Sequence, residues 1–211
     1  MARTDISICS RALMNLGAAP ITSFDDTSDA AQMLAISYPE IRDGIISAYA
    51  WECMKVRKEL TRAAEAPGGY QYAFVMPSDL LGGPSGIFPS ADDTIGTNAF
   101  EVRRNRIVSN LPRAWIEYQA RRTEAEWPAW FAELVMAAVA AEMALMVTDQ
   151  QSVKDHWEAK AFGTPSENRV GGLMGQAMTL DAQNSGNNPG IVSTALLEAR
   201  FGGVVPGFEG W

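Results

Sequence analysis

The stretch GGYQYAFVMPSDLLG, residues 68–82, decides the fold class of this chain of 211 residues. Its centre, YQYAFVM, is crowded with aromatic and apolar side chains, a composition typical of a β-strand. Pro77 has no N–H to donate and restricts the residue before it, so the strand must end there. Runs of helical periodicity lie on both sides of the stretch. It therefore predicts a mixed α+β protein.

Further strand signals lie between residues 51 and 126, where β-branched and aromatic residues alternate with turn residues. In chain order they are ECMKVRKELTRA (52–63), YQYAFVM (70–76), a short strand at Ile87 and Phe88, NAFEVRRNRIVSNL (98–111) and RAWIEYQARR (113–122). The first segment alternates only in part, so a continuation of the preceding helix is the alternative there. The fourth signal predicts a hairpin whose tight turn is near Arg104 and Asn105. Together these segments predict a small antiparallel sheet.

Helical periodicity flanks the strands on both sides. The predicted helices cover residues 4–16, 28–49, 128–147 and 150–161. Pro39 is expected to kink or split the second helix. The third helix is the most apolar and is expected to be central, but Glu133 and Glu142 interrupt it and argue against a membrane span. The side chains expected to face the shared core are Leu13, Leu16, Ile45, Leu134, Ala138 and Trp157.

The predicted organisation is one domain followed by an arm. The domain covers residues 1–185, with a helical bundle at 1–50 and 127–185 and the inserted β region at 51–126. Residues 186–211 are rich in glycine and carry isolated apolar residues, so they cannot close a core of their own and are expected to form an extended C-terminal arm. Its expected docking residues are Ile191, Leu196, Leu197, Phe201, Phe208 and Trp211.

Charge is distributed unevenly along the chain. The formal net charge of −8 argues against ordinary DNA recognition, which needs a basic face. Residues 51–122 nevertheless carry a net charge of +2, which leaves −10 for the rest. Arg103, Arg104 and Arg106 crowd the predicted hairpin tip, and residues 82–98 are expected to form a loop that is held at its base and free at its tip. Such tips suit a contact with a partner.

Residues that could carry chemistry are few. Cys9 and Cys53 are expected to be buried free thiols, and His156 is the sole histidine. The stretch GTPSENRVGG lacks the Lys-Ser/Thr pair of a phosphate loop. The paired aspartates at 25–26 and 92–93 lie in turns, where capping is the expected role of Asp, although a divalent ion is a conceivable ligand. No catalytic residue, metal site or cofactor is expected, so the chain is expected not to be an enzyme. It shows no export signal, and synthesis in the cytoplasm is expected.

The order of local motifs resembles one known family. The motifs are ALMNLGAAPITSFDD, YPEIRDGIISAYAW, KVRKELTRAAEAP, YQYAFVMPSDLL, FEVRRNRIVSNLP, WIEYQARR and an alanine-rich helix that begins with Trp and Pro. This order resembles the tail tubular protein A family of phage head–tail connectors. The likeness covers residues 5 to about 150, and DAQ at 181–183 and ARFG at 199–202 fit the family's C-terminal pattern. FGTPSENRVGG looks like an insertion or an altered stretch in the family's last long helix.

This resemblance implies a structural virion protein, made in the host cytoplasm, that adapts head to tail. Twelve copies would form a ring that binds the portal on one side and a tail tube, nozzle or stopper on the other, without a membrane. Genomic DNA would pass through the lumen without sequence-specific binding. The C-terminal arm would dock on the portal or on a neighbouring copy, and the hairpin-tip arginines would contact the distal tail component. The alternatives are a DNA-binding packaging subunit with an N-terminal helix-turn-helix and a hydrolase of cell-surface polymer.

Overall fold

The computed structural model describes residues 3–64, 69–93, 96–97 and 99–184. In this part of the chain the fold is α+β, with five α-helices and two small antiparallel sheets. The helices are α1 (Asp5–Asn15), α2 (Asp29–Ala48), α3 (Ala129–Thr148), α4 (Gln151–Phe162) and α5 (Gly172–Asn184). The strands are β1 (Lys55–Glu59), β2 (Tyr72–Val75), β3 (Gly86–Phe88), β4 (Phe100–Arg103), β5 (Arg106–Ser109) and β6 (Trp115–Gln119).

The strands form two three-stranded sheets, where the sequence predicted a single sheet. One has the order β1-β6-β3 and the other the order β2-β5-β4, and all neighbours are antiparallel. A single hydrophobic cluster joins them, with Phe74 and Ile107 from one sheet and Ile87, Ile116 and Tyr118 from the other. Each small sheet has an apolar face that must be covered, and here each sheet covers the other. The inserted region is therefore a two-layer β unit.

The predicted hairpin is confirmed. β4 and β5 pair so that Arg103 lies opposite Arg106, and Arg104 and Asn105 form the two-residue turn between them. Arg104 has a φ of 55°, which is the left-handed conformation that tight hairpin turns require. The three arginines are thereby brought to one end of the β unit.

The helices pack around α3, as predicted. α3 contacts α1, α2, α4 and α5, and all six side chains expected to face the core are buried. By length and composition α3 could cross a membrane, since its mean hydropathy is 1.8, but 67% of that window is buried inside the protein. A core helix of this kind is apolar on every side because helices surround it.

Two features of the helices differ from the sequence prediction. α2 runs through Pro39 without a break, so of the two predicted outcomes, a kink or a split, the split does not occur. Pro39 and Ala35, whose carbonyl loses its helical partner, are both exposed, and water can satisfy that carbonyl. After α4, the stretch FGTPSENRVGG forms a tight loop, and α5, which is not among the predicted helices, follows it. In this loop Gly163 lies so close to Gly171 that a Cβ on Gly163 would approach the Gly171 Cα to 2.6 Å.

The predicted C-terminal arm, residues 186–211, and all of its proposed docking residues lie outside the described part of the chain.

Candidate interaction surfaces

The hairpin tip, residues 101–106, is the first candidate surface. Arg103, Arg104 and Arg106 are all exposed there, as the sequence predicted. Arg103 donates to the Glu101 carboxylate at 2.8 Å and also lies over the Tyr70 ring, 5.5 Å from its centroid. The hydrogen bond from Arg103, together with one from Tyr70, lowers the pKa of Glu101. The tip is therefore basic, but it contains one ionised carboxylate that reduces its positive charge.

The loop over residues 82–98 is held more firmly than the sequence suggested. Arg57 of β1 donates to the carbonyls of Ala91 and Asp93 at 3.0 and 2.7 Å, and its guanidinium lies 3.8 Å from the centroid of the Phe88 ring. Ile87 and Thr97 exchange backbone hydrogen bonds at 2.8 and 3.2 Å. The described part of the loop is thus fastened along its length, so the expectation of a free tip is wrong for this part.

The junction, residues 49–54 and 119–128, joins the helical bundle to the β unit. Trp51 lies at its centre and is completely buried. Its indole N–H donates to the Ile45 carbonyl at 2.8 Å, and its ring packs edge-on against Phe131 at 5.2 Å between centroids. Gln119 at the end of β6 donates to the Tyr49 carbonyl at 2.7 Å. The two chain segments that enter and leave the β unit are therefore bonded to each other and to the bundle.

Asp181 of α5 also holds the junction, through hydrogen bonds from the junction's backbone. Its carboxylate is 1% exposed and accepts the backbone N–H groups of Glu52 and Cys53 at 2.6 and 3.1 Å. Burial, with the charge of Asp181 and a hydrogen bond to it, raises the pKa of the Cys53 thiol to about 12. Sequence reasoning assigned Asp181 no structural role. The available signal was an acid that follows Met174 and Ala177 at helical spacing on a buried face.

A charged network ties α2 to the segment after β6. Asp43 accepts from Arg42 at 2.8 Å and from Arg121 at 3.1 Å. Burial would raise the pKa of Asp43, but hydrogen bonds from the two guanidinium groups outweigh burial and hold that pKa below its ordinary value. The Tyr38 hydroxyl donates to Glu124 at 3.0 Å. These contacts fix the direction in which the chain returns to the bundle.

The same network gives partners to both members of the second arginine pair. Arg121 is bonded to Asp43, and Arg122 donates to the Cys53 carbonyl at 2.9 Å and lies 3.7 Å from Glu126. Adjacent arginines at the end of a strand can face solvent, nucleic acid or an acidic neighbour. The structure provides acidic neighbours within the chain.

An apolar groove on the helical bundle is the second candidate surface. It has a volume of about 680 Å³ and lies among α2, α3, α4, α5 and the loop before α5. Apolar residues that line it include Ile41, Gly44, Ala141, Phe162, Val170 and Met178. Charged side chains of both signs line it as well, namely Glu40, Glu142, Lys154, Glu158 and Arg169. Val170 is 52% exposed, so apolar surface is open to solvent at this groove.

The residues with possible chemical roles are dispersed. Burial raises the pKa of Cys9 to about 12, which keeps its thiol protonated and weakly nucleophilic at neutral pH. His156 lies exposed on α4 beside Trp157. Asp26 accepts the backbone N–H groups of Thr22 and Ser23 at 2.8 and 3.2 Å and so stabilises the turn before α2, whereas the N-cap of α2 is Ser28. Among the described residues, no group of three His, Cys, Asp or Glu side chains is placed to hold a metal ion. What the hairpin tip and the groove offer a partner is therefore their shape and charge.

Replacing Asp181 with Ala is expected to lower the free energy of unfolding by about 1.5–3 kcal/mol, because the N–H groups of Glu52 and Cys53 lose a charged acceptor. Chemical denaturation measures the change. Asp155→Ala is the matched control, since Asp155 is exposed and accepts only from the Gln151 side chain in the described contacts. This control should change stability by less than about 0.5 kcal/mol. Equal effects of the two substitutions would contradict the role of Asp181.

In comparisons with known proteins, no protein-family model and no curated protein matches the chain. What the chain does is therefore inferred from its own surfaces.

Proposed function

We propose that this chain is a structural virion protein, a head–tail adaptor whose copies form a ring between the portal and the tail and surround a channel for DNA. The observation that carries the proposal is the separation of the chain into two hydrophobic units, each with its own exposed surface. The groove belongs to the helical bundle and the hairpin tip belongs to the β unit. A protein that joins two different partners needs two such surfaces, and the order of helices and strands is the order on which the resemblance to head–tail connectors rests.

The ring would be a dodecamer with head-to-tail contacts between copies, since a rotation that closes generates a ring. The portal would bind one side of the ring, and a tail tube, nozzle or stopper the other. Each chain has a formal charge of −8, so the ring as a whole is strongly acidic. An acidic lumen repels phosphates and lets DNA slide, whereas a basic lining would hold it.

The decisive experiment is a native mass measurement of the purified chain with and without purified portal protein. A ring that forms on the portal supports the adaptor proposal. An electrophoretic shift on duplex DNA, with no portal binding, would favour the alternative DNA-binding packaging subunit. One observation weighs against that alternative, because residues 16–28 separate α1 from α2, where a helix-turn-helix has a turn of only about three or four residues.

Deleting residues 186–211 is expected to leave a folded protomer that no longer joins the portal. The reason is that the extended arm would carry the apolar docking residues, including Leu196, Phe201 and Trp211. Circular dichroism checks the fold, and sedimentation with portal checks assembly. Normal assembly by the shortened protein would contradict the proposed role of the arm.

Replacing Arg103, Arg104 and Arg106 together with Glu is expected to block tail attachment while leaving portal binding and DNA retention intact. The proposal assigns the hairpin tip to the distal tail component, because a basic patch that faced the DNA would oppose sliding. Tail attachment to filled heads in vitro measures the effect. A control with Glu at the exposed positions Arg11, Lys58 and Arg113 makes the same change in net charge elsewhere and should attach tails normally. Heads that attach tails but fail to eject DNA would place the tip in the lumen.

A further inference from the structure

The groove on the helical bundle has a glycine that no contact in the described part of the chain requires. Gly44 lies inside α2, where glycine is unfavourable relative to alanine because it loses more backbone freedom on folding. A Cβ at this position would meet no atom within 4 Å. A glycine that faces open space allows a second segment to approach the helix closely. Gly44 thus favours an occupied groove.

The chain that follows α5 begins close to this groove. Met174 and Met178 of α5 line the groove, and α5 ends at Asn184. The helix rises about 1.5 Å per residue, so Met178 lies about 9 Å from the end of the helix. Residues 185–190, SGNNPG, are of types that favour turns and can span about 20 Å when extended. This linker is long enough for the next segment to return to the groove of the same molecule.

The next segment has the chemistry that the groove would accept. Residues 191–201, IVSTALLEARF, are mainly apolar and contain one acid, Glu198, and one base, Arg200. The groove presents apolar side chains together with charges of both signs, including Lys154 and Glu142. Burying Leu and Ile side chains in such a groove is favourable because it removes apolar surface from water.

We propose that residues 191–201 occupy the groove of their own molecule. In the isolated protomer the groove then shields the apolar residues of the C-terminal segment, and a partner that binds at the groove must displace this segment. The proposal does not depend on the adaptor function, because it concerns a contact within a single chain.

Trypsin tests the proposal on the full chain, because Arg200 is the last Lys or Arg in the sequence. Trypsin cleaves such a segment at a rate proportional to the fraction of time for which the segment is free. Cleavage after Arg200 releases residues 201–211, which mass spectrometry quantifies. We expect this cleavage to be about tenfold slower, or more, in the wild-type protein than in a free peptide of residues 186–211.

Two substitutions should remove the protection. Gly44→Trp fills the groove, and Leu196→Asp makes the segment polar without altering the described part of the chain. Each should restore the rate of the free peptide, to within about threefold. Ala35→Trp is the matched control, because Ala35 is exposed on α2 and does not line the groove, and it should leave the protection unchanged. Leu196→Asp keeps the test valid even where Gly44→Trp disturbs folding.

Two results would overturn the proposal. One is cleavage of the wild-type chain at the rate of the free peptide. The other is protection that disappears on a roughly hundredfold dilution, because a segment supplied by a second copy is lost by mass action and a segment of the same chain is not.

Discussion

Trp51→Ala is expected to lower the free energy of unfolding by about 3–5 kcal/mol. Trp51 is 0% exposed and packs against Tyr49, Trp130 and Phe131. Alanine would remove most of this buried surface and leave a cavity that the surrounding rings fill only in part. The substitution also removes the donor for the buried Ile45 carbonyl. Urea denaturation, followed by circular dichroism, measures the change.

Trp51→Phe separates the two contributions. Phenylalanine retains an aromatic ring but cannot donate to the Ile45 carbonyl, so a smaller loss of about 1–3 kcal/mol is expected. Trp115 gives a control of the same residue type, because it is partly exposed on β6, and Trp115→Ala should cost clearly less than Trp51→Ala. Equal losses at the two tryptophans would show that the junction does not depend on Trp51.

Leu134→Ala is expected to lower the free energy of unfolding by about 2–5 kcal/mol. Leu134 is 0% exposed in the middle of α3, where the surrounding helices pack. Deleting its isobutyl group leaves a cavity in a densely packed interior. Leu145→Ala is the matched control on the same helix, because Leu145 is 42% exposed. The control should cost less than about 1 kcal/mol.

Urea titration of both variants tests the orientation of α3. A loss below about 0.5 kcal/mol for Leu134→Ala would mean that the wrong face of the helix had been assigned to the core.

Four of the five described helices were predictable because their signals are local, whereas α5 was not among the predicted helices. The apolar residues that define α1 and α3 recur every three to four positions along the chain, and this periodicity is contained within each helix. Pro39 shows the limit of such reasoning. The rule that proline breaks helices depends on whether the freed carbonyl is buried, and a sequence does not specify which side of the helix faces water.

The division into two sheets was not predictable in the same way. β1 pairs with β6, although more than 50 residues separate them, and β2 pairs with β5 along its length and with the residues that follow β1 only at a bridge between Arg62 and Phe74. Alternation shows which residues of a strand share a face, but it does not show which strands are neighbours. The sequence therefore predicted all six described strands but not which of them are neighbours in a sheet.

For the candidate surfaces as well, features local in sequence were predictable and contacts between distant positions were not. The hairpin tip was predicted because its arginines and its turn lie within a few residues of one another. The contacts of Asp181 with Glu52 and Cys53 join positions far apart in the chain. Arg57, which holds the loop at Ala91 and Asp93, was counted only as part of a basic region. Contacts between distant positions depend on the fold and so were missed.

The contact of Asp181 with the start of the β unit has a consequence for biosynthesis. The N–H groups of Glu52 and Cys53 emerge from the ribosome long before their acceptor does, since α5 is the last helix described. Folding of a domain during translation begins at the N-terminal side, so the bundle and the β unit would first meet without this clamp. The junction therefore gains the hydrogen bonds to Asp181 only after α5 has been synthesised.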